Sequence, residues 1–194
     1  MTGIILAGGK SRRVGKGKAL LKIGDKRIIE MVVEKLEATF DDTLIVTGSP
    51  FNYQFLGVKV IRDIVPEKGP LGGIYTGLLS SKSEYNFICA CDMPFLNTRL
   101  LKFMASEVTN CDLVVPVVGG FVEPLHSIYS KRCLSAIKSH LEVDDLKVKN
   151  FFSEVKCRYL SEDLIRRYDP DLLSFLNLNT PKMLKLAREM WMKF

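Results

Sequence analysis

The sequence predicts a single-domain α/β protein, a three-layer sandwich in which helices cover both faces of a mostly parallel central sheet. Three observations carry that expectation. The short apolar runs Ile4–Ala7, Thr43–Thr47 and Phe87–Cys91 are nearly continuous rather than alternating, as strands buried on both faces must be. Between them stand segments with helical signatures, so that strand, helix and strand follow one another. Finally, 194 residues with 47% hydrophobic and 26% charged side chains suffice for one sizeable core and match neither a disordered chain nor a membrane protein.

Composition narrows the function. No apolar run approaches the roughly 20 residues that span a bilayer, and Met1-Thr2-Gly3 leads straight into a strand without a signal peptide, so a cytoplasmic protein is expected. Cys89, Cys91, Cys111, Cys133 and Cys157 are odd in number and show no C-x-x-C spacing. They read as small buried thiols rather than a metal site. The formal net charge of +6 suggests an anionic partner. Its basic residues are spread along the chain with no Lys/Arg block interleaved with aromatics, which favours a cleft for a small anion over nucleic acid.

The first strand, from Ile4 to Ala7, breaks into Gly8-Gly9 and then a run holding Ser11, Arg12, Arg13, Lys16 and Lys18. Glycine lets backbone amides approach a ligand oxygen, and the cations add full charge, a combination suited to a polyphosphate. A Walker loop is absent: Gly9 to Gly15 encloses five residues, and Lys16 is followed by Gly17. The G-x-G-x-x-G fingerprint fails at its third glycine. Leu6, Ala7, Gly8, Gly9, Ser11, Arg13, Gly15 and Lys18 instead resemble, in register, the signature loop of nucleotidyltransferases with a Rossmann-like fold, which wraps a nucleoside triphosphate.

Ile28, Ile29, Val32, Val33, Leu36 and Phe40 then recur at helical spacing with charges between them, an amphipathic helix packing on the sheet. Thr43–Thr47 is the second strand, closed by Gly48-Ser49-Pro50, and Val58–Arg62 the third, with Asp63 just past its end. Gly69-Pro70-Leu71-Gly72-Gly73-Ile74 opens a helix with proline in the first turn. Its small residues allow close approach to the sheet or to a ligand, and GPLGGI resembles the G-P-L-A-G-I of the same enzymes, which favours a ligand contact at Gly72.

Phe87–Cys91 is apolar on both faces and ends in Asp92-Met93-Pro94. Open α/β sheets bind ligands beyond the carboxyl ends of their strands, so Asp92, Asp63 and the Gly8-Gly9 loop are expected to converge. A carboxylate beside a triphosphate is repelled unless a divalent cation lies between them, which makes Asp92 the expected Mg²⁺ ligand. Asn97-Thr98 supplies the next helix cap without it.

The second half predicts strands at Asp112–Val118 and Leu125–Tyr129, a pair walling off one side of the crevice. Helices are expected over Lys131–Leu141 and Leu146–Phe152, the latter carrying Lys147 and Lys149 either as a solvated face or toward a second substrate's phosphate. Thr180-Pro181 starts a last helix running to about Lys193.

EPLHSIYS and F-x-N-x-N-T-P-x-x-L resemble segments of molybdenum cofactor guanylyltransferases, and with LAGG and GPLGGI the resemblance spans nearly the whole chain. It implies one nucleotidyltransferase domain over 1–194, with a GTP-binding half over about 1–95 and an acceptor-binding half over about 96–194. The implied reaction transfers GMP from GTP to the phosphate of molybdopterin cofactor, with release of diphosphate. Lys18, Arg13 and Asp92 would be catalytic; Leu6, Ala7, Gly8, Gly9, Ser11, Lys18, Thr47, Asp63, Gly72 and Asp92 would bind GTP; Glu123, His126, Lys147 and Asn179 would face the acceptor. His126 reads equally as a packing residue in a strand. Mg²⁺ is the implied cofactor. GTP, molybdopterin cofactor and other molybdenum-cofactor assembly proteins are the implied partners, with neither nucleic acid nor membrane. Val14, Gly17 and Thr47 depart from the pattern, where the family carries Met, Asp and Asn. Guanylyl or cytidylyl transfer to another phosphorylated acceptor, and a GTP-binding adaptor without turnover, stay open as alternatives.

Overall fold

The computed structural model describes residues 1–8 and 17–191. Along the chain run β1 (Thr2–Leu6), β2 (Lys22–Ile23), β3 (Lys26–Arg27), α1 (Ile28–Glu37), β4 (Asp42–Thr47), β5 (Lys59–Arg62), α2 (Gly69–Ser80), β6 (Tyr85–Ala90), α3 (Thr98–Ser106), β7 (Leu113–Val118), β8 (Phe121–Val122), β9 (His126–Ser130), α4 (Leu134–Glu142), β10 (Cys157–Leu160), α5 (Glu162–Arg166) and α6 (Pro181–Trp191). The main sheet has the order β10-β7-β9-β6-β1-β4-β5. Its pairs are parallel except where β9 meets β6 and β7, and β8 folds back on β7 as a short hairpin.

Alternation along the strands divides the core into two layers. Ile5, Ile45, Phe87 and Cys89 point to one face, where α1, α3 and α5 bring Val32, Leu36, Leu100, Met104 and Ile165. Ile4, Leu6, Leu44 and Ile88 point to the other, under Leu71, Ile74 and Leu78 of α2 and Ile137 of α4. All of these but Leu6 are nearly or fully excluded from water. At about 25 cal/mol per Å² of apolar surface, that burial dominates the stability of such a layer. The close seat of α2 depends on its glycines: a Cβ on Gly77 would stand 2.8 Å from Cγ2 of Ile4.

Local signals set the helix ends. Glu30 accepts from the Arg27 backbone amide at the start of α1. Asn97 Oδ1 accepts from the amides of Arg99 and Leu100 at 2.9 and 3.3 Å, so Asp92 has no part in capping α3. Thr180 Oγ1 caps α6 through the Met183 amide.

Three features differ from expectation. Leu125–Tyr129 does not form a separate wall with the strand before it; as β9 it inserts between β6 and β7 and extends the central sheet. The hydrogen-bonding edge of β6 accepts either direction, and hydropathy carries no sign of direction. The second half also holds β10 and α5, whose short half-exposed sequences lack a clear period. The segments predicted as helices around 131 and 146 contain 3-10 turns at Lys131–Cys133 and Val148–Glu154. No helix among the described residues is long and apolar enough to cross a membrane.

Candidate active site

The carboxyl ends of β1, β4, β5 and β6 open into one cleft of about 880 Å³, within the usual size of a small-molecule site. Hydrogen bonds stitch its floor together. Ala7 N–H donates to Val46 O at 2.8 Å, Cys91 N–H to Leu6 O at 3.2 Å, and Asp63 N–H to Thr47 O at 2.9 Å. The Thr47 hydroxyl donates to Ala7 O at 2.7 Å. Thr47 is therefore fixed by the first strand's end, its side chain bound to backbone.

At the centre, Lys18 Nζ donates to Asp92 Oδ2 at 2.5 Å and to Asn179 Oδ1 at 2.9 Å. The two charged side chains are only 10% and 13% exposed, so their attraction is screened far less than that of a surface pair. Lys18 leads the 3-10 turn Lys18–Leu20 that returns the chain to the core. Asp92 lies two residues beyond β6, with its backbone carbonyl accepting from Leu178 N–H at 3.1 Å. That bond brings the C-terminal segment across the cleft and delivers Asn179.

Leu6, Ala7, Gly8, Lys18, Thr47, Asp63, Asp92, Glu123 and Asn179 all line this cleft. Gly9, Ser11 and Arg13 lie outside the described residues. Gly72 does not line it: a Cβ there would meet Val65 O at 2.7 Å, so the glycine admits the preceding loop against α2, and Gly69, Pro70 and Gly73 face the cleft instead. Lys147 is exposed outside the lining. His126 is fully buried in β9, its ring 5.1 Å from Phe87 edge-on and 4.4 Å from Phe175. Neither ring nitrogen has a hydrogen-bond partner among the described residues, and burial pushes its pKa down to about 3. Of the two readings of this histidine, the packing one fits its position, and an acceptor phosphate cannot reach the ring.

Two more groups tune the cleft. Partial burial raises the carboxyl pKa of Glu123 above the ordinary range. Burial first, then the adjacent Asp92 carboxylate, pushes the Cys91 thiol up to about 12, which leaves it inert as a nucleophile. Sequence reasoning missed Tyr53, Cys91, Pro124, Leu125 and Asn177 in the lining. Asn177 was within reach, because it belongs to the same N-x-N-T-P run as Asn179. Tyr53 sits in the 3-10 segment Pro50–Leu56, whose sequence shows no period that points inward.

A second hollow is lined by Tyr85, Asn110, Asp112, Arg132 and Lys156. Its Arg132 already donates to Asp112, Glu84, Tyr85 and the Cys111 carbonyl.

The sequence and fold have counterparts among known proteins. Residues 3–157 match the MobA-like NTP transferase domain. A probable molybdenum cofactor guanylyltransferase of Natranaerobius thermophilus is 40% identical over 97% of this chain and 95% of its own. The molybdenum cofactor guanylyltransferase of Desulfosudis oleivorans is 39% identical over 96% of this chain and 94% of its own. Among solved structures, molybdopterin-guanine dinucleotide biosynthesis protein A from Archaeoglobus fulgidus superposes over the full length of both chains with a TM-score of 0.87 at 27% identity. Near-complete coverage by such relatives, on the fold and with the cleft just described, places this chain in the MobA-like NTP transferase family.

Proposed function

We propose that the protein transfers GMP from GTP to the phosphate of molybdopterin cofactor, releasing diphosphate, in the cytoplasm. The observation that carries the reading is the Lys18–Asp92 pair, held by Asn179 at the open ends of β1 and β6. The names of the full-length relatives support the choice of nucleotide and acceptor.

The acceptor is a phosphate monoester, largely dianionic at neutral pH, so one of its oxygens attacks the α-phosphorus without a side-chain base. A new P–O bond forms as the bond to the β-phosphate oxygen breaks, and diphosphate leaves with the electron pair. Lys18 supplies positive charge to the triphosphate, and the backbone at Ala7 and Gly8 fixes where it lies; by the sequence motif Arg13 would add charge and Ser11 a hydroxyl donor. Positioning and charge neutralisation account for the acceleration.

Asp92 spends Oδ2 on Lys18, and Oδ1 takes no hydrogen bond among the described residues. One free carboxylate oxygen, completed by phosphate oxygens and water, is a donor set that Mg²⁺ accepts, whereas a cage of three or more His, Cys, Asp or Glu is absent among the described residues. Mg²⁺ held there would neutralise charge on the triphosphate. Glu123, Asn177 and the Pro124-Leu125 turn form the side of the cleft left for the acceptor.

The test is diphosphate release from GTP, CTP, ATP and UTP, each with molybdopterin cofactor and with a sugar 1-phosphate. Release with GTP and the molybdopterin acceptor alone is expected. Preference for CTP, or turnover only with the sugar phosphate, overturns the reading, and tight GTP binding without release would make the protein an adaptor.

A further inference from the structure

Thr76, in the middle of α2, is fully buried, yet its hydroxyl serves the cleft. It donates to Asp63 Oδ1 at 2.7 Å and accepts from the Ile64 backbone amide at 3.2 Å. The Val65 amide donates to the same Oδ1 at 3.0 Å. Two donors thus engage one oxygen of Asp63, while Oδ2 has no hydrogen bond among the described residues and Asp63 itself lines the cleft. The backbone of Asp63 is fixed as well, through its amide to Thr47 O.

Fixing one oxygen of a carboxylate with a buried hydroxyl fixes the plane of the group and therefore the direction of the other. We infer that Thr76 is a positioning residue for nucleotide selection: it aims Asp63 Oδ2 as a single acceptor toward the base. This rests on the guanylyl reading given above. Guanine presents N–H donors on its Watson–Crick edge. Adenine has a ring acceptor at the equivalent nitrogen, and a carboxylate oxygen facing that acceptor is repelled. A site that leaves a buried polar group unpaired rejects the wrong ligand far more strongly than one that merely loses a methyl contact. Serine can make both hydrogen bonds of Thr76; valine has the same shape and makes neither.

The experiment measures dissociation constants for GTP and ATP by calorimetry, and specificity constants by diphosphate release, in the parent and in Thr76→Val, Thr76→Ser, Asp63→Ala and Thr76→Val/Asp63→Ala. Thr76→Val should lower the GTP-to-ATP selectivity ratio by roughly ten- to a hundredfold, the size of one hydrogen bond to a charged group. Thr76→Ser should restore most of the ratio. On the Asp63→Ala background Thr76→Val should change it no further, because the group through which Thr76 acts is gone. Equal losses for GTP and ATP in Thr76→Val would overturn the inference, since a merely structural threonine weakens both alike. If Thr76→Val fails to fold, Thr76→Ser and Asp63→Ala still decide: a ratio that moves in Thr76→Ser as far as in Asp63→Ala refutes positioning by the hydroxyl. A parent that binds GTP over ATP but transfers nothing to molybdopterin refutes the acceptor reading and leaves the affinity ratios to judge Thr76. A parent with no preference for GTP refutes both.

Discussion

Asp92→Asn keeps the shape of the side chain at the centre of the cleft and removes one charge. In the free protein the consequence is small. The bond to Lys18 is 2.5 Å long between side chains 10% and 13% exposed, and an asparagine oxygen can still accept it. Lys18 keeps its charge, so the bond to asparagine is still one to a charged group, worth about 1.5–3 kcal/mol; only the opposite charge is lost, about 1 kcal/mol within that range. For a chain of this size that lowers Tm by roughly 2–4 °C. Turnover should fall much further, by about a hundred- to a thousandfold, because the carboxylate proposed to hold Mg²⁺ beside the triphosphate is gone. The assay follows diphosphate release from GTP while Mg²⁺ is stepped upward, alongside thermal unfolding in metal-free buffer. Turnover within about threefold of the parent at low Mg²⁺ would refute the assignment of Asp92 to the metal.

Lys18→Met retains the stem and strands the Asp92 carboxylate without its cation, so it should destabilise the free protein more than Asp92→Asn, by about 3 kcal/mol, and weaken GTP binding. Unfolding curves and GTP calorimetry check this, and parent-like binding in Lys18→Met beside failed binding in Lys16→Ala would transfer the role to Lys16. At Gly8 an added Cβ meets nothing within 4 Å among the described residues, so Gly8→Ala should fold as the parent does and the ligand should feel the methyl. Its GTP specificity constant should fall by roughly ten- to two-hundredfold and that for CTP by less, whereas equal losses would assign the glycine to the loop backbone. His126 has a folded pKa of about 3 against 6.5 when free, so between those values the unfolded chain binds a proton that the folded one refuses. Stability is thus unaffected by this group above pH 6.5 and declines below it by up to about 1.4 kcal/mol per pH unit. Urea unfolding at pH 7 and pH 4.5 should show a smaller acid loss in His126→Phe than in the parent; equal losses would mean that another group carries the effect.

Strand and helix order were legible from local sequence because each is written in a local variable. Ile4, Ile5 and Leu6 read as a strand buried on two faces, and they are. The period of Ile29, Val32, Val33 and Leu36 gave the face of α1 that meets the sheet. Asp92 could be placed beyond a central strand because the apolar run before it ends so abruptly, and the general rule for open α/β sheets then brought Asp63 and the Gly8 loop to the same side. Resemblance added the family, and with it Lys18 and Asn179.

Tertiary structure alone decided which local features face the cleft. His126 and Glu123 come from one sequence block, yet the pleat and the turn of the chain send the histidine into the core and leave the glutamate in the lining. Gly72 and Gly73 are adjacent and look interchangeable, but the helical rotation between them turns one to the Val65 loop and the other to Leu6 and the cleft. The direction of β9 was invisible because hydrophobic pattern is the same read either way along a strand. Pairings across long sequence distance, Lys18 with Asp92 and Asn179 or Thr76 with Asp63, exist only once the strands are in register. Their energies depend on a distance of a few ångströms and on exclusion of water, and neither quantity is a property of the sequence until the chain has folded.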